Sequence, residues 1–185
     1  MNLLGFSAKT EAKLGALTLD VVKSSEIEGE LLNYNQVRSS IARRLGINIA
    51  GLVESNRHIE GVVEMMLDAT QRFEQKLTHK RLFGWHAALF PTGYSGPYAI
   101  EVGKYRTGEM QVVSGAMGHE KIHYEAPPFD TLEQEMNIFI QWFNETPSSL
   151  EKAAITHLWF VIIHPFDDGN GRIARALTDR VLSKL

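Results

Sequence analysis

The chain has 185 residues, a formal net charge of -3 and 44% apolar residues, enough for one domain with a sizeable core. Such a balance speaks against a polybasic nucleic-acid surface, and the lack of cysteine excludes disulfides and thiolate metal sites without fixing a compartment. No apolar run reaches the roughly 18 residues of a membrane span, and the N-terminus lacks the basic region and long apolar core of a signal peptide. The expectation is a cytoplasmic protein that binds neither nucleic acid nor membrane. Leu185 falls inside a helical pattern, so the chain reads as a fragment of a longer one.

Residues 8–29 predict a first helix, because Leu14, Leu17, Val21 and Val22 recur at helical spacing and Gly29 stands where a helix can stop. Its polar end, Ser24-Ser25-Glu26-Ile27-Glu28-Gly29, sets a glutamate near a helix C-terminus, where the dipole disfavours it. Glu28 is therefore expected to have a partner elsewhere. Residues 31–46 predict a second helix, with Asn33 and Asn35 as candidate caps, Val37, Ile41 and Leu45 at helical spacing, Gly46 as the stop and Arg43-Arg44 as a solvated end. Residues 1–50 form an N-terminal helical region on this reading, and residues 51–185 the core.

From Asn56 to about Phe73, Ile59, Val62, Val63, Met66 and Ala69 line one face of a further helix. His58, with no acid–histidine metal pattern around it, is expected at the surface. Thr78 can cap the next helix, which ends near Phe90-Pro91 and carries His79, Trp85 and His86 in packing roles. The helical rhythm then breaks between Gly93 and Pro128, a span with six glycines and three prolines. Within it, Gln111 to Ser114, a turn, and Lys121 to Tyr124 predict a β-hairpin. A lone two-stranded hairpin is marginally stable and leaves backbone groups unpaired. The hairpin, about 104–127 with its approaches, is thus either a surface excursion or an edge to which a target segment adds as a strand, with Val112, Val113, Ser114, Gly115 and Ile122 forming that edge.

Asp130, with Glu133 at the third helical position, predicts an N-cap for a helix through Leu132, Met136, Phe139, Ile140 and Phe143. Ser148-Ser149-x-Glu151 opens an apolar helix that ends at His164, since Pro165 disfavours helical geometry in the residue before it. The fold class is all-α with one inserted β-hairpin.

Beyond that helix lies His164-Pro165-Phe166-Asp167-Asp168-Gly169-Asn170-Gly171-Arg172-Ile173-Ala174-Arg175, with helical patterning resuming from Arg172. A helix start lined by glycine presents unpaired N–H groups and a positive dipole end, an anion site. Arg172 and Arg175, three apart, share one face beside it. Base, acid, anion cradle and two cations thus fall together, as in a phosphate-handling catalytic loop. Gly169-x-Gly171-x-x-Ala174 fits a dinucleotide fingerprint, but that motif needs a second strand and an acid about 20 residues on. A calcium loop fails because Phe166 and Leu177 would occupy ligand positions. A plain capped helix with an exposed Arg175–Asp179 pair leaves the combination of residues unexplained.

His-Pro-Phe-x-Asp-Gly-Asn-Gly-Arg-x-x-Arg is complete over residues 164–175 and resembles the signature of Fic-domain proteins, most of which are AMP transferases. The resemblance implies a Fic-like helical bundle, with the hairpin as a flap over the active site and Tyr105-Arg106-Thr107 as its lead-in. It implies AMP transfer from ATP to a Ser, Thr or Tyr hydroxyl of a target protein docked on the flap, self-modification included. His164 would be the base, an imidazole largely neutral at pH 7. Asp168 would hold Mg²⁺, for which few carboxylates plus phosphate oxygens suffice, while Asp167, at a variable position, would be solvated. The backbone of Gly169, Asn170 and Gly171 would approach the α-phosphate, Arg172 and Arg175 would grip the outer phosphates, and Phe166 would face inward. Ser24-x-x-x-Glu28-Gly29 matches the family's inhibitory-helix pattern and implies that Glu28 forks onto Arg175 and suppresses transfer. Removal of AMP, another phosphate donor, or a nucleotide-binding or toxin-like module without turnover stay open on the same loop.

Overall fold

The computed structural model describes the backbone of residues 3–114 and 121–185 and the side chains of residues 8–111 and 124–185. Helices α1 (Leu3–Ile27), α2 (Tyr34–Leu45), α3 (Arg57–Gln71) and α4 (His79–Leu89) lead into a strand region of β1 (Tyr94–Ser95), β2 (Tyr98–Ala99), β3 (Gln111–Ser114) and β4 (Lys121–Glu125). A 3₁₀ turn (Phe129–Thr131) then precedes α5 (Leu132–Glu145), α6 (Leu150–Ile163) and α7 (Asn170–Leu182). The all-α class with an inserted hairpin is therefore the observed one. The hairpin pairs β3 and β4 antiparallel, Val113 opposite Ile122 and Ser114 opposite Lys121, with an irregularity between Val112 and Val113. Gly115 of the expected docking edge lies outside the described residues, as do the side chains of Val112, Val113, Ser114 and Ile122.

Helix starts follow local chemistry. Asn33, Asn56, Thr78 and Ser149 each accept, through a side-chain oxygen, the N–H three residues ahead, which satisfies an otherwise orphaned donor. Asp130 departs from expectation. It lies inside the 3₁₀ turn, where the Pro128 carbonyl accepts both the N–H (3.1 Å) and the hydroxyl (2.9 Å) of Thr131. Those two bonds fix the backbone one turn earlier than a cap at Asp130 would. The short β1–β2 ladder, Tyr94 opposite Ala99, went unforeseen because two residues per strand give no alternation to read. Arg43 and Arg44 are not simply solvated; both reach Glu60, and Arg43 also donates to Val53 O at 2.9 Å.

One apolar core joins the helices: Leu14 and Val21 of α1, Val37 and Ile41 of α2, Val62, Val63 and Met66 of α3, Phe139 of α5, Phe160 of α6, and Ile173 and Leu177 of α7. Helix α6 packs on α7, and α3 on α4. The second contact is backbone to backbone: a Cβ on Gly61 would stand 1.7 Å from Ala88 O. That approach brings the end of α4, Leu89 and Phe90, under the loop between α6 and α7, where a Cβ on Gly169 would come within 2.9 Å of the Phe90 ring. Helix α6, largely apolar in sequence, buries the face of Lys152, Ala153, Thr156, Phe160 and Ile163. Ile155, Leu158 and Ile162 are exposed, which periodicity could not show because no polar stripe marks the outer face.

Candidate active site

His164 ends α6 in the left-handed region (φ 49°, ψ 58°), the one non-glycine residue with positive φ among those described. Its N–H still reaches Phe160 O at 3.0 Å, so the chain turns out of the helix without leaving that donor unpaired. Nδ1 lies 3.2 Å from Val161 O. A carbonyl only accepts, so Nδ1 carries the proton and Nε2 presents a lone pair. Burial lowers the imidazole pKa below 6.5, which keeps that lone pair available at neutral pH.

The loop is closed by its own side chains. Asn170, 2% exposed, accepts the Phe166 N–H (3.0 Å) and donates to Phe166 O (2.8 Å). Phe166 is fully buried as expected, stacked on His86 with ring centroids 4.2 Å apart and planes 8° from parallel. His86 accepts the Gly103 N–H on Nδ1 (3.1 Å), and burial depresses its pKa to about 4. Asp167 is not free in solvent: its Oδ2 accepts the Glu101 N–H at 2.8 Å. Asp168 accepts from the Ser95 hydroxyl and from the Gly169 N–H at 2.5 Å. Both carboxylates thereby tie the loop to the 95–101 segment.

Helix α7 starts at Asn170 behind Gly169 (φ 78°), with no side-chain cap. Its first N–H groups and dipole form an anion site, and a carboxylate already lies there. A Cβ on Gly171 would stand 2.5 Å from Glu28 Oε2 and 2.6 Å from Oε1, and Glu28 Oε1 accepts from Arg175 Nη2. The partner expected for Glu28 is thus Arg175, through one oxygen rather than a fork, and Asp179 is not that arginine's ion-pair partner. Ser24 is half-buried with no side-chain hydrogen bond among the described residues, whereas the buried neighbour Ser25 lends its carbonyl to the N–H groups of Glu28 and Glu30. Gly29, at φ 82°, makes that turn possible.

Glu30, His58 and Arg106 escaped the sequence as participants in the site. Arg172, 6% exposed, does not face open solvent; Nη1 donates to Glu30 Oε1 at 2.7 Å and its guanidinium lies 4.9 Å from the Phe90 ring centroid. Glu30 in turn meets His58, which is half-buried rather than a surface residue, at 3.0 Å. Arg106, 2% exposed, donates to His164 O (2.9 Å), Gly108 O (2.6 Å) and Pro127 O (2.5 Å), while its N–H reaches Pro165 O (2.9 Å). It pins both feet of the hairpin to the loop backbone. The only advance signal was its place in the Tyr105-Arg106-Thr107 lead-in.

A family model described as Fic/DOC family matches residues 76–182, and one described as a domain of unknown function (DUF4172) matches residues 1–47. A protein named protein adenylyltransferase Fic from Nematostella vectensis is 29% identical over 171 residues, 89% of this chain and 37% of the relative. The namesake from Drosophila virilis is 31% identical over 184 residues, 96% of this chain and 35% of the relative. The chain thus spans about a third of these relatives' length. The crystal structure of a Fic domain containing signaling protein from Bacteroides thetaiotaomicron aligns at a TM-score of 0.66 and 26% identity, covering 97% of this chain and 66% of that one. A Fic family protein from Desulfovibrio desulfuricans gives 0.60 at 26% identity, covering 91% and 48%. The buried loop clasp, the uncapped glycine start of α7 and a family match over more than half of the sequence agree: the chain belongs to the Fic/DOC family.

Proposed function

We propose that the protein is a protein adenylyltransferase, moving AMP from ATP to a hydroxyl side chain of a target protein or of itself, in the cytoplasm, and that Glu28 holds it in an inhibited state. The observation that carries this reading is the Nε2 of His164, which has no partner among the described residues, beside an uncapped helix start flanked by Arg175. Nε2 takes the proton of the attacking hydroxyl, the oxygen bonds to the α-phosphorus, and the bond from that phosphorus to the bridging oxygen breaks, releasing pyrophosphate. The N–H groups at the start of α7 hold the charge that develops on the α-phosphate. Arg175, once freed from Glu28, grips an outer phosphate. The hairpin serves as the edge on which the target segment docks.

Asp168 fits Mg²⁺: a single carboxylate beside the Ser95 hydroxyl suits an ion that takes most ligands from water and phosphate. Bound there, the ion would neutralise phosphate charge on ATP. No helix among the described residues is long and apolar enough to cross a membrane. Incubation of the protein with labelled Mg-ATP, followed by mass spectrometry, tests the reading. Protein carrying an added AMP supports it. Label that is bound but never transferred, with or without Glu28, would instead mark a binding module.

A further inference from the structure

Glu28 has a companion. The chain leaves α1 through a turn in which the Gly29 N–H reaches Glu26 O (2.9 Å) and the Glu30 N–H reaches Ser25 O (3.0 Å). That pairing around a left-handed glycine is the Schellman arrangement, and it fixes the residues on either side of the glycine relative to each other. Glu28 and Glu30 therefore flank one stiff corner, and each lands on one arginine of α7, Glu28 on Arg175 and Glu30 on Arg172.

The two contacts differ in burial. Glu28 and Arg175 are 32% and 21% exposed, Glu30 and Arg172 31% and 6%. A solvent-accessible ion pair alone contributes little, so the Glu28 contact by itself is a weak latch. The Glu30 contact is better held: one oxygen takes Arg172, the other meets His58 of α3, and Arg172 is backed by the Phe90 ring. Burial tends to raise the Glu30 pKa, yet the hydrogen bond from His58 and the charge of Arg172 bring it below the ordinary value. The chemistry assigned to His164 uses neither Glu30 nor His58.

Resting on the autoinhibited reading above, we propose that Glu30, held by Arg172 and His58, is a positioning residue for Glu28, the second jaw of a two-glutamate clasp that seats the end of α1 on the phosphate cradle. Opening the cradle then requires breaking both contacts together, because the turn between them does not flex independently.

Glu30→Gln keeps the shape and removes the charge. Losing a charged hydrogen bond of this kind should raise self-modification with Mg-ATP by about tenfold, less than Glu28→Gly does. The double variant should be no more active than Glu28→Gly, since Glu30 acts only through Glu28. His58→Leu should follow Glu30→Gln, while His58→Gln, which retains a donor, should restore most of the inhibition. Amide hydrogen exchange over residues 25–33, measured without nucleotide, should quicken in Glu30→Gln and His58→Leu while α5 and α6 stay protected. Activation by Glu28→Gly together with parent-like activity and exchange in Glu30→Gln overturns the clasp and leaves the Glu28 lock standing. A double variant weaker than Glu28→Gly also overturns it, by making Glu30 a support for nucleotide binding. An inactive Glu28→Gly with slow exchange in Glu30→Gln removes the lock and the clasp alike.

Discussion

His164 holds a backbone conformation that costs an L residue about 1–2 kcal/mol, and Arg106 braces it by donating to its carbonyl. The gain is direction: the side chain leaves the axis of α6 and its Nε2 has no partner among the described residues. Replacing His164 with Ala should abolish transfer, a loss of about 10²–10⁴ in rate, while the melting temperature and ATP binding change little, because the side chain is only half-buried. Adenylylation at the parent rate would sink the mechanism. Burial lowers this imidazole's pKa, and the base acts when neutral. The acid limb of kcat/KM should accordingly fall at a pH below 6.5, and a midpoint above that value would contradict the buried geometry. His86 tests the loop's support in the same way. Its folded pKa of about 4 lies below the unfolded 6.5, so between those values the unfolded state binds more protons and stability drops as pH falls. The full difference is on the order of 3 kcal/mol. His86→Phe should remove that slope while forfeiting about 1 kcal/mol for the Gly103 N–H, as urea titrations from pH 7 to 4 would reveal.

Among the elements, the β3–β4 hairpin is held from outside its own ladder, pinned at its feet by Arg106 and at β4 by the Tyr124 hydroxyl, which donates to Ile162 O. Proline at Val113 or Ile122 removes a backbone donor and bends the edge. Transfer to an external protein should then fall while nucleotide affinity holds; equal loss of both would make the hairpin a structural part only. The elements most legible in sequence were those made by neighbours. Asn33, Asn56, Thr78 and Ser149 cap what they precede, and Pro165 with Gly169 frames the loop. Partnerships across the fold were opaque: Arg106 to His164 spans 58 positions, Asp167 to Glu101 spans 66 and Glu30 to Arg172 spans 142. No local period records such pairs. Glu28 was the exception, because a carboxylate at a helix C-terminus is unfavourable unless something distant answers it.

At the scale of the whole molecule, the turn that follows the first helix meets the last helix at the cradle, with the Glu28 carboxylate over Gly171. A Cβ there would displace the Glu28 carboxylate, so on the proposed reading the glycine that would let a phosphate approach the backbone is the same one that admits the inhibitory carboxylate. The carboxylate lies at the start of α7 and takes Arg175, the cation that the proposed mechanism assigns to an outer phosphate. On the proposed reading, ATP entering this arrangement would settle with its α-phosphate out of line, and misplacement by about an ångström can forfeit roughly 10²-fold in rate. Glu28→Gly should therefore raise transfer, self-modification included, by roughly one to three orders of magnitude. Glu28→Asp, one methylene shorter, should be partly released. Arg175→Ala should be inactive in either background, since one guanidinium serves both the lock and the phosphate. The measurement is AMP incorporated per protein by intact mass, alongside ATP affinity by calorimetry. Glu28→Gly that binds ATP normally yet transfers no faster than the parent would falsify the lock, because the carboxylate over Gly171 would then be a bystander to the chemistry at His164.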